Sequence, residues 1–398
     1  MRKAHLTFEF ENRQQTALDV WLSVPPCLPA QKQIELTWTH RQPDCVNNVA
    51  MNTIAFATLK PQEKIGFKAV VELTELGDPT DQNAGPLSAE ERTWYLRSSN
   101  LIQINPEVRQ LAEQIVAGAS DEETQAQKIY LSLIQNYTYK WPPPDRGSEI
   151  TRLTQAGDCG EYSHVFAALC RSLGLPCRVL YGTWALGQSE GHAWNEVYLS
   201  KSGWVVVDTS GDQGSFTGQL VKRSLLPASF LLKRWGQPRP DRIAFSIDPD
   251  VALAPSYLPV SYVAGDLTES EQLRIAGRQF AWGLESMDGC APYLQPIYIR
   301  QHRFEKWAKD QEPLGHWQVT TAPAQVQPKI AVREWVALLI AIGLVLASAV
   351  FGFSRWLGIA GAGLIGLVLL TGSSQARMIA RVCLVASVVV GLAQRLLS

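Results

Sequence analysis

"TQAGDCGEYSHVFAALCRSLGLPCRVLYG", residues 154–182, packs a turn, a helix and the start of a strand into one short run. Ala156-Gly157-Asp158 reads as a tight turn, and Cys159 follows it where an apolar stripe begins. Val165, Phe166, Leu169, Cys170 and Leu173 share one face of a helix over 159–173, which Gly174 and Pro176 end. Cys159 therefore sits at a helix N-terminus. Free N–H groups and the helix dipole there favour an anion, and cysteines so placed can fall to a pKa of about 3.5–7.5. We expect a thiolate at 159, with its own backbone N–H aimed at any oxyanion formed beside it.

A thiol nucleophile needs a base, and the base needs an orienting partner. Downstream of "CRVLYGTW" (177–184), the runs "HAWNEVYL" (192–199) and "WVVVD" (204–208) flank the short turn Ser200–Gly203. They form a hairpin in which His192 opens one strand and Asp208 ends the next. A one-residue slip would send the two side chains to opposite faces, so a bulge is one way to align them. Asp212 is the fallback partner. Taken singly, a capping Cys is most often a small buried hydrophobe, and so is a His beside a Trp; only the constellation points to chemistry.

The constellation resembles the transglutaminase-like superfamily. A G-x-C turn opening a helix, the L-G-L-P-C-R helix end, "HAWNEV" and "GWVVVD" occur in that family's order, and "IYLSLIQNYTYKW" (129–141) resembles the segment leading into its core. The resemblance implies a papain-like α+β fold, with Cys159 as nucleophile, His192 as general base and acid, and Asp208 orienting His192. It implies acyl-enzyme formation at a peptide or glutamine-type amide, then transfer to water or an amine. "GDCGEY" lacks the G-Q-C-W of calcium-dependent crosslinking enzymes and no paired C-x-x-C is present, so hydrolysis is favoured over crosslinking, and deglycosylation is disfavoured. The alternative is a catalytically silent scaffold of the same fold that binds a protein partner.

Other residues near the motif read as structural. His164 is off the ideal neighbour position of Cys159 and packs or faces solvent. Cys170 and Cys177 pack, and Glu161 and Glu196 support the fold by hydrogen bonding. Tyr139 and Trp141 are positional candidates for a second oxyanion donor, although aromatic residues there belong more often to the core. A zinc site from Cys159, His164, Cys170 and Cys177 lacks a C-x₂₋₄-C pair, so neither metal nor cofactor is expected.

Elsewhere the chain is uneven. The net charge of −1 offers no field to recruit nucleic acid. Seven scattered cysteines fit reduced thiols better than a disulfide framework. No apolar stretch follows the basic N-terminus, so no cleaved signal peptide is read. Residues 1–90 form a β-rich module, with alternating "HLTFEFE", "ALDVWLSV", "QIELTWTH" and "KAVVELTEL". The core, 98–235, begins with a helix capped by Asn105 and ended by Gly118, then one opened by the capping-box pattern Ser120–Glu123. An extension and linker, 236–328, follows. In this part of the chain "KRWGQPRPDR" (233–242) is loop-like, 270–287 reads as helix, and the surroundings of His302 and His316 carry no assignable role.

The segment 329–398 is a transmembrane region. "WVALLIAIGLVLASAVFGF" (335–353) would make a helix of about 28 Å, close to the hydrocarbon thickness. "WLGIAGAGLIGLVLLTGS" (356–373) follows after only Ser354-Arg355. A third run, 382–394, spans if extended from Met378 (378–394), or lies at the interface. Gly358, Ala362 and Gly366 form a small-residue stripe suited to packing within the hairpin or to self-association. Lys329, Arg333, Arg377 and Arg381 outside the hairpin, against Arg355 within it, place the large N-terminal part in the cytosol. The expected partners are a protein or peptide substrate and the lipid bilayer.

Overall fold

The computed structural model describes residues 2–74, 85–143, 145–185, 190–237, 239–258, 272–275, 277–281, 285–303, 305–307 and 313–321. The expected spans at 335–353, 356–373 and 378–394 and the small-residue stripe lie outside the described residues. Among the described residues no helix is long and apolar enough to cross a membrane.

The N-terminal strands are β1 (Arg2–Glu11), β2 (Leu18–Val24), β3 (Gln31–Thr39), β4 (Cys45–Val49), β5 (Asn52–Leu59) and β6 (Lys64–Leu73). They build two antiparallel four-stranded sheets, each completed by a strand from far along the chain. Ile297–Gln301 pairs with β2, and His316–Thr321 pairs with β1. Period-two alternation points Leu6, Phe8 and Phe10 inward, where they meet Val20, Leu22, Phe67 and Val71. Each such side chain, fully buried, contributes about 1.5–3 kcal/mol. The stretch 236–328 thus supplies two strands to the N-terminal sheets.

The helices are α1 (Ala89–Leu96), α2 (Pro106–Val116) and α3 (Glu122–Asn136); after the short strand β7 (Thr138–Tyr139) comes α4 (Ser148–Thr154), and after β8 (Ala156–Gly157) comes α5 (Cys159–Ser172). Asn105 caps α2 through the Val108 N–H, as its sequence implies. The cap of α3 is Asp121, one residue later than the Ser120 pattern suggests, because its carboxylate reaches both the N–H and the hydroxyl of Thr124. β7 and β8 pair in parallel and hold the chain straight as it enters α5.

The central sheet has β9 (Cys177–Trp184), β10 (Gly191–Leu199), β11 (Gly203–Val207) and β12 (Arg242–Ile247) in the order β11-β10-β9-β12. Helices cover one face, with Phe166 and Leu169 packed among Val179, Val197 and Val207. The other face carries Leu180, Trp194, Val206 and Ala244. Ile243 and Phe245 of β12 belong instead to the core between the N-terminal sheets. Gln31 exchanges side-chain hydrogen bonds with Ala244 across the same junction.

Residues 270–287, expected as helix, hold an antiparallel pair, Gln272–Ile275 with Arg278–Ala281. Ile275, Phe280 and Ala281 are buried in it. A buried set this sparse fits a hairpin and leaves no continuous helical stripe.

Candidate active site

Asp208 directly follows β11 and caps the helix Thr209–Gly214, and the register of the β10–β11 pair sets Asn195 opposite Val207, so Trp194 falls opposite Asp208. His192 is two residues from Trp194 and shares its face. The register between these strands is unbroken, so no bulge is needed there. The only register shift in the central sheet, as described, lies in β12, between Ala244 and Ser246. β9 places Gly182 directly opposite His192. A Cβ at Gly182 would collide with the Ile243 carbonyl, which is why this position takes glycine.

His192 Nε2 lies 2.9 Å from Asp208 Oδ2. The ring stacks on Trp184 at 4.1 Å and faces Trp194 at 5.9 Å. Arg242, buried, extends over both indoles and pairs with the same Asp208 oxygen. The other oxygen accepts from Gly211 N–H at 2.8 Å and Ser210 Oγ at 3.3 Å. Burial works to raise the Asp208 carboxyl, but Arg242, His192 and the Gly211 N–H together hold it well below the usual carboxylate range. A carboxylate only accepts, so His192 Nε2 is the donor in this hydrogen bond.

Asp212, the fallback partner, is committed elsewhere: it accepts from Tyr130 OH at 2.8 Å and pairs with Arg234 and Arg239.

Cys159 is the first residue of α5 and lines one cavity of about 590 Å³ with His192. The expectation of a thiolate is corrected here. Asp158 caps α5, and its Oδ1 takes the N–H of Gly160 at 2.8 Å and of Glu161 at 3.4 Å. The donors that would have steadied an anionic sulfur already serve a carboxylate. Burial pushes the Cys159 thiol up to about 12, with Asp158, Glu161 and Asp208 adding to it and the Ala193 N–H opposing. No hydrogen bond joins the thiol to His192, and burial favours the protonated form of the thiol.

Beneath the thiol, Arg146 bridges Asp158 at 3.3 Å and Glu161 at 3.2 Å. Burial and the adjoining Asp158 push Glu161 well above its ordinary range, while hydrogen bonds from Glu161 and the charge of Arg146 keep Asp158 ionised. His164 is buried rather than solvated; its Nε2 meets Tyr181 OH at 2.6 Å and its Nδ1 has no hydrogen-bond partner. Burial drives its pKa down to about 3.

Tyr139 and Trp141, positional candidates for a second oxyanion donor with a core role the commoner reading, are 50% and 68% exposed at the cavity and so are not core residues. Glu196 pairs with Arg178 as a support, and Cys170 and Cys177 are buried free thiols, in keeping with their reading. No cluster of metal-ligating side chains occurs among the described residues.

Sequence reasoning missed Arg242, Trp184, Arg146, Tyr293 and Trp317. For Trp184 a signal existed: alternation along β9 sets it on the face of Gly182 and hence of His192. Arg242 offered a weaker one, a charge directly before the apolar run "IAFSI".

With this geometry in place, comparison with known proteins is informative. Residues 109–209 match the transglutaminase-like superfamily, and this segment is a transglutaminase-like domain. Among solved structures, a candidate cysteine protease from Cytophaga hutchinsonii is 16% identical, with 62% of this chain and 81% of that chain covered at a TM-score of 0.43. The periplasmic domain of TgpA from Pseudomonas aeruginosa is 17% identical, with 57% of this chain and 77% of that one covered at a TM-score of 0.34. No curated protein matches significantly.

Proposed function

We propose that this transglutaminase-like domain is a cysteine hydrolase that opens a peptide or glutamine-type amide through an acyl-enzyme. Cys159 is the nucleophile, His192 the base and then the acid, and Asp208 the residue that orients His192. The observation that carries the reading is the His192–Asp208 hydrogen bond at a strand end that shares a cavity with Cys159.

The raised thiol determines the order of events. So little thiolate exists near neutrality that proton transfer must accompany attack. His192 Nδ1 takes the thiol proton as sulfur bonds to the amide carbon, and the carbonyl π pair moves to oxygen. Asp158 leaves the Cys159 N–H uncapped, and that donor serves the oxyanion. When the tetrahedral adduct collapses, the C–N bond breaks and His192 returns the proton to the departing amine. Water, deprotonated by His192, then attacks the thioester, releasing acid and thiol. An amine in place of water would give transfer instead. Asp208 stays ionised throughout, because Arg242 and two further donors hold its charge.

The reading includes a membrane anchor over 335–353 and 356–373, with the catalytic part in the cytosol, supported by the uncharged runs and the flanking basic residues.

Labelling with an electrophilic peptide probe tests the core claim. Wild type should label at one site and Cys159→Ser should not. Equal labelling of Cys159→Ser overturns the reading and leaves a scaffold.

A further inference from the structure

Part of the cavity that holds the thiol is built from outside the segment that matches the family. Tyr293, Leu314 and Trp317 lie beyond it in sequence, and they complete an enclosure that Tyr139 and Trp141 begin. We infer that these five side chains form a subsite for an apolar, preferably aromatic, side chain of the acyl donor next to the scissile amide. This inference rests on the proposed chemistry at Cys159.

Three observations carry it. First, the wall is held in shape. Trp317 pairs across from Phe8 in the edge of an N-terminal sheet, and its Nε1 donates to Thr183 Oγ1 at 2.8 Å. Gly315, just before it, has a φ of +73°, and a Cβ there would press on the Phe8 ring, so the approach of this loop depends on glycine. Tyr293 stacks on Tyr181 at 6.0 Å. Second, the buried charges beneath the thiol are already matched, and the other carboxylate of the lining, Glu190, is exposed to water. Arg146 lies 6.0 Å from the Trp141 ring and 5.8 Å from the Tyr293 ring, but its charge is met by Asp158 and Glu161. Neither a free guanidinium for an acidic side chain nor a free carboxylate pair for a basic one faces inward from this trio. Third, Trp141 and Tyr139 keep large apolar area in water at the site, which a bound apolar side chain would cover. At about 590 Å³ the space is in the range of small-molecule and side-chain pockets and is wider than one extended amide side chain needs.

The test needs no knowledge of the natural substrate. Full-length protein is inactivated with three N-acyl aminoacyl chloromethyl ketones that differ only in side chain: phenylalanyl, glycyl and aspartyl. In each the thiol sulfur displaces chloride, so rate differences report side-chain recognition. The phenylalanyl reagent should modify Cys159 about tenfold or more faster than the glycyl one, with the aspartyl reagent slowest. Trp317→Ala and Trp141→Ala should each collapse the phenylalanyl-to-glycyl ratio towards one, and Trp317→Phe should restore part of it. Trp141 is exposed, so that variant stays informative if Trp317→Ala does not fold. A ratio near one in wild type, an aspartyl preference, or a ratio untouched in both alanine variants overturns the subsite. Failure of all three reagents on folded protein overturns the cysteine chemistry itself.

Discussion

Two carboxylates near the candidate site, Asp208 and Asp158, do opposite work. Asp208 directly follows a strand and lies under a guanidinium, a ring and a backbone N–H, and every donor favours its charge. Asp158 caps the helix that presents Cys159, and by occupying the helix N-terminus it denies that charge-stabilising position to the sulfur. One end of the site is built to hold a charge at rest and the other to avoid one. The difference teaches that a helix N-terminus activates a thiol only if its own cap has not already used the donors.

Removing the base breaks the comparison most severely. His192→Ala should lower peptide-probe labelling at pH 7 by about 10²–10⁴-fold, since no neighbouring group then removes the thiol proton. Retention of half the wild-type rate would show that the thiolate forms without help.

Next comes the charged end. Arg242→Met leaves Asp208 buried with its strongest partner gone, and should cost about 3–5 kcal/mol in a urea titration. A loss below about 1 kcal/mol would mean that His192 and the backbone donors suffice.

The buried histidine gives a pH signature. His164 has a folded pKa of about 3 against about 6.5 unfolded, so the unfolded chain takes up a proton first on acidification. This stability contribution is complete above about pH 6.5 and is lost progressively as pH falls towards about 3. Between pH 7 and pH 5 the loss is about 2 kcal/mol, and His164→Asn should lose less than wild type over the same interval. Parallel curves for the two proteins would exclude His164 as the source.

The smallest effect falls on the neutral end and sharpens the contrast most. Iodoacetamide labelling at Cys159, read by peptide mass because Cys27 is an exposed free thiol, should rise about tenfold per pH unit from 7 to 9.5, without a plateau, since the Cys159 thiol is pushed up to about 12. Asp158→Asn removes the nearest charge while keeping a capping oxygen, and should shift that profile down by about one unit. A plateau in wild type below pH 7 would restore the ion pair that the structure argues against.

Much of the architecture was legible because it is local. The bounds of α5, the strand 177–184 and the hairpin after it follow from periodicity and turn residues near the chain position concerned. The pairing of His192 with Asp208 was legible as a possibility of the hairpin and became definite only with the register. Partners that arrive from afar left little trace. Arg242 and Arg239 sit in a stretch that reads as loop, yet they neutralise Asp208 and Asp212. β4 and β5 escaped notice because the residues around Asn47, Asn48 and Asn52 blur the alternation. The state of the thiol was misread for a related reason: the position of Cys159 is visible in sequence, whereas the cost of its burial and the carboxylates gathered beside it are properties of the packed whole.

β12 serves two masters, its backbone paired with β9 while Ile243 and Phe245 face the N-terminal sheets. A shortened protein beginning near residue 98 would carry every residue of the family match, yet it would strand two large apolar side chains in water and delete Gln31, which grips that strand. Trimming to the recognisable segment should therefore lower solubility, and the N-terminal sheets belong with the matched segment in any shortened protein.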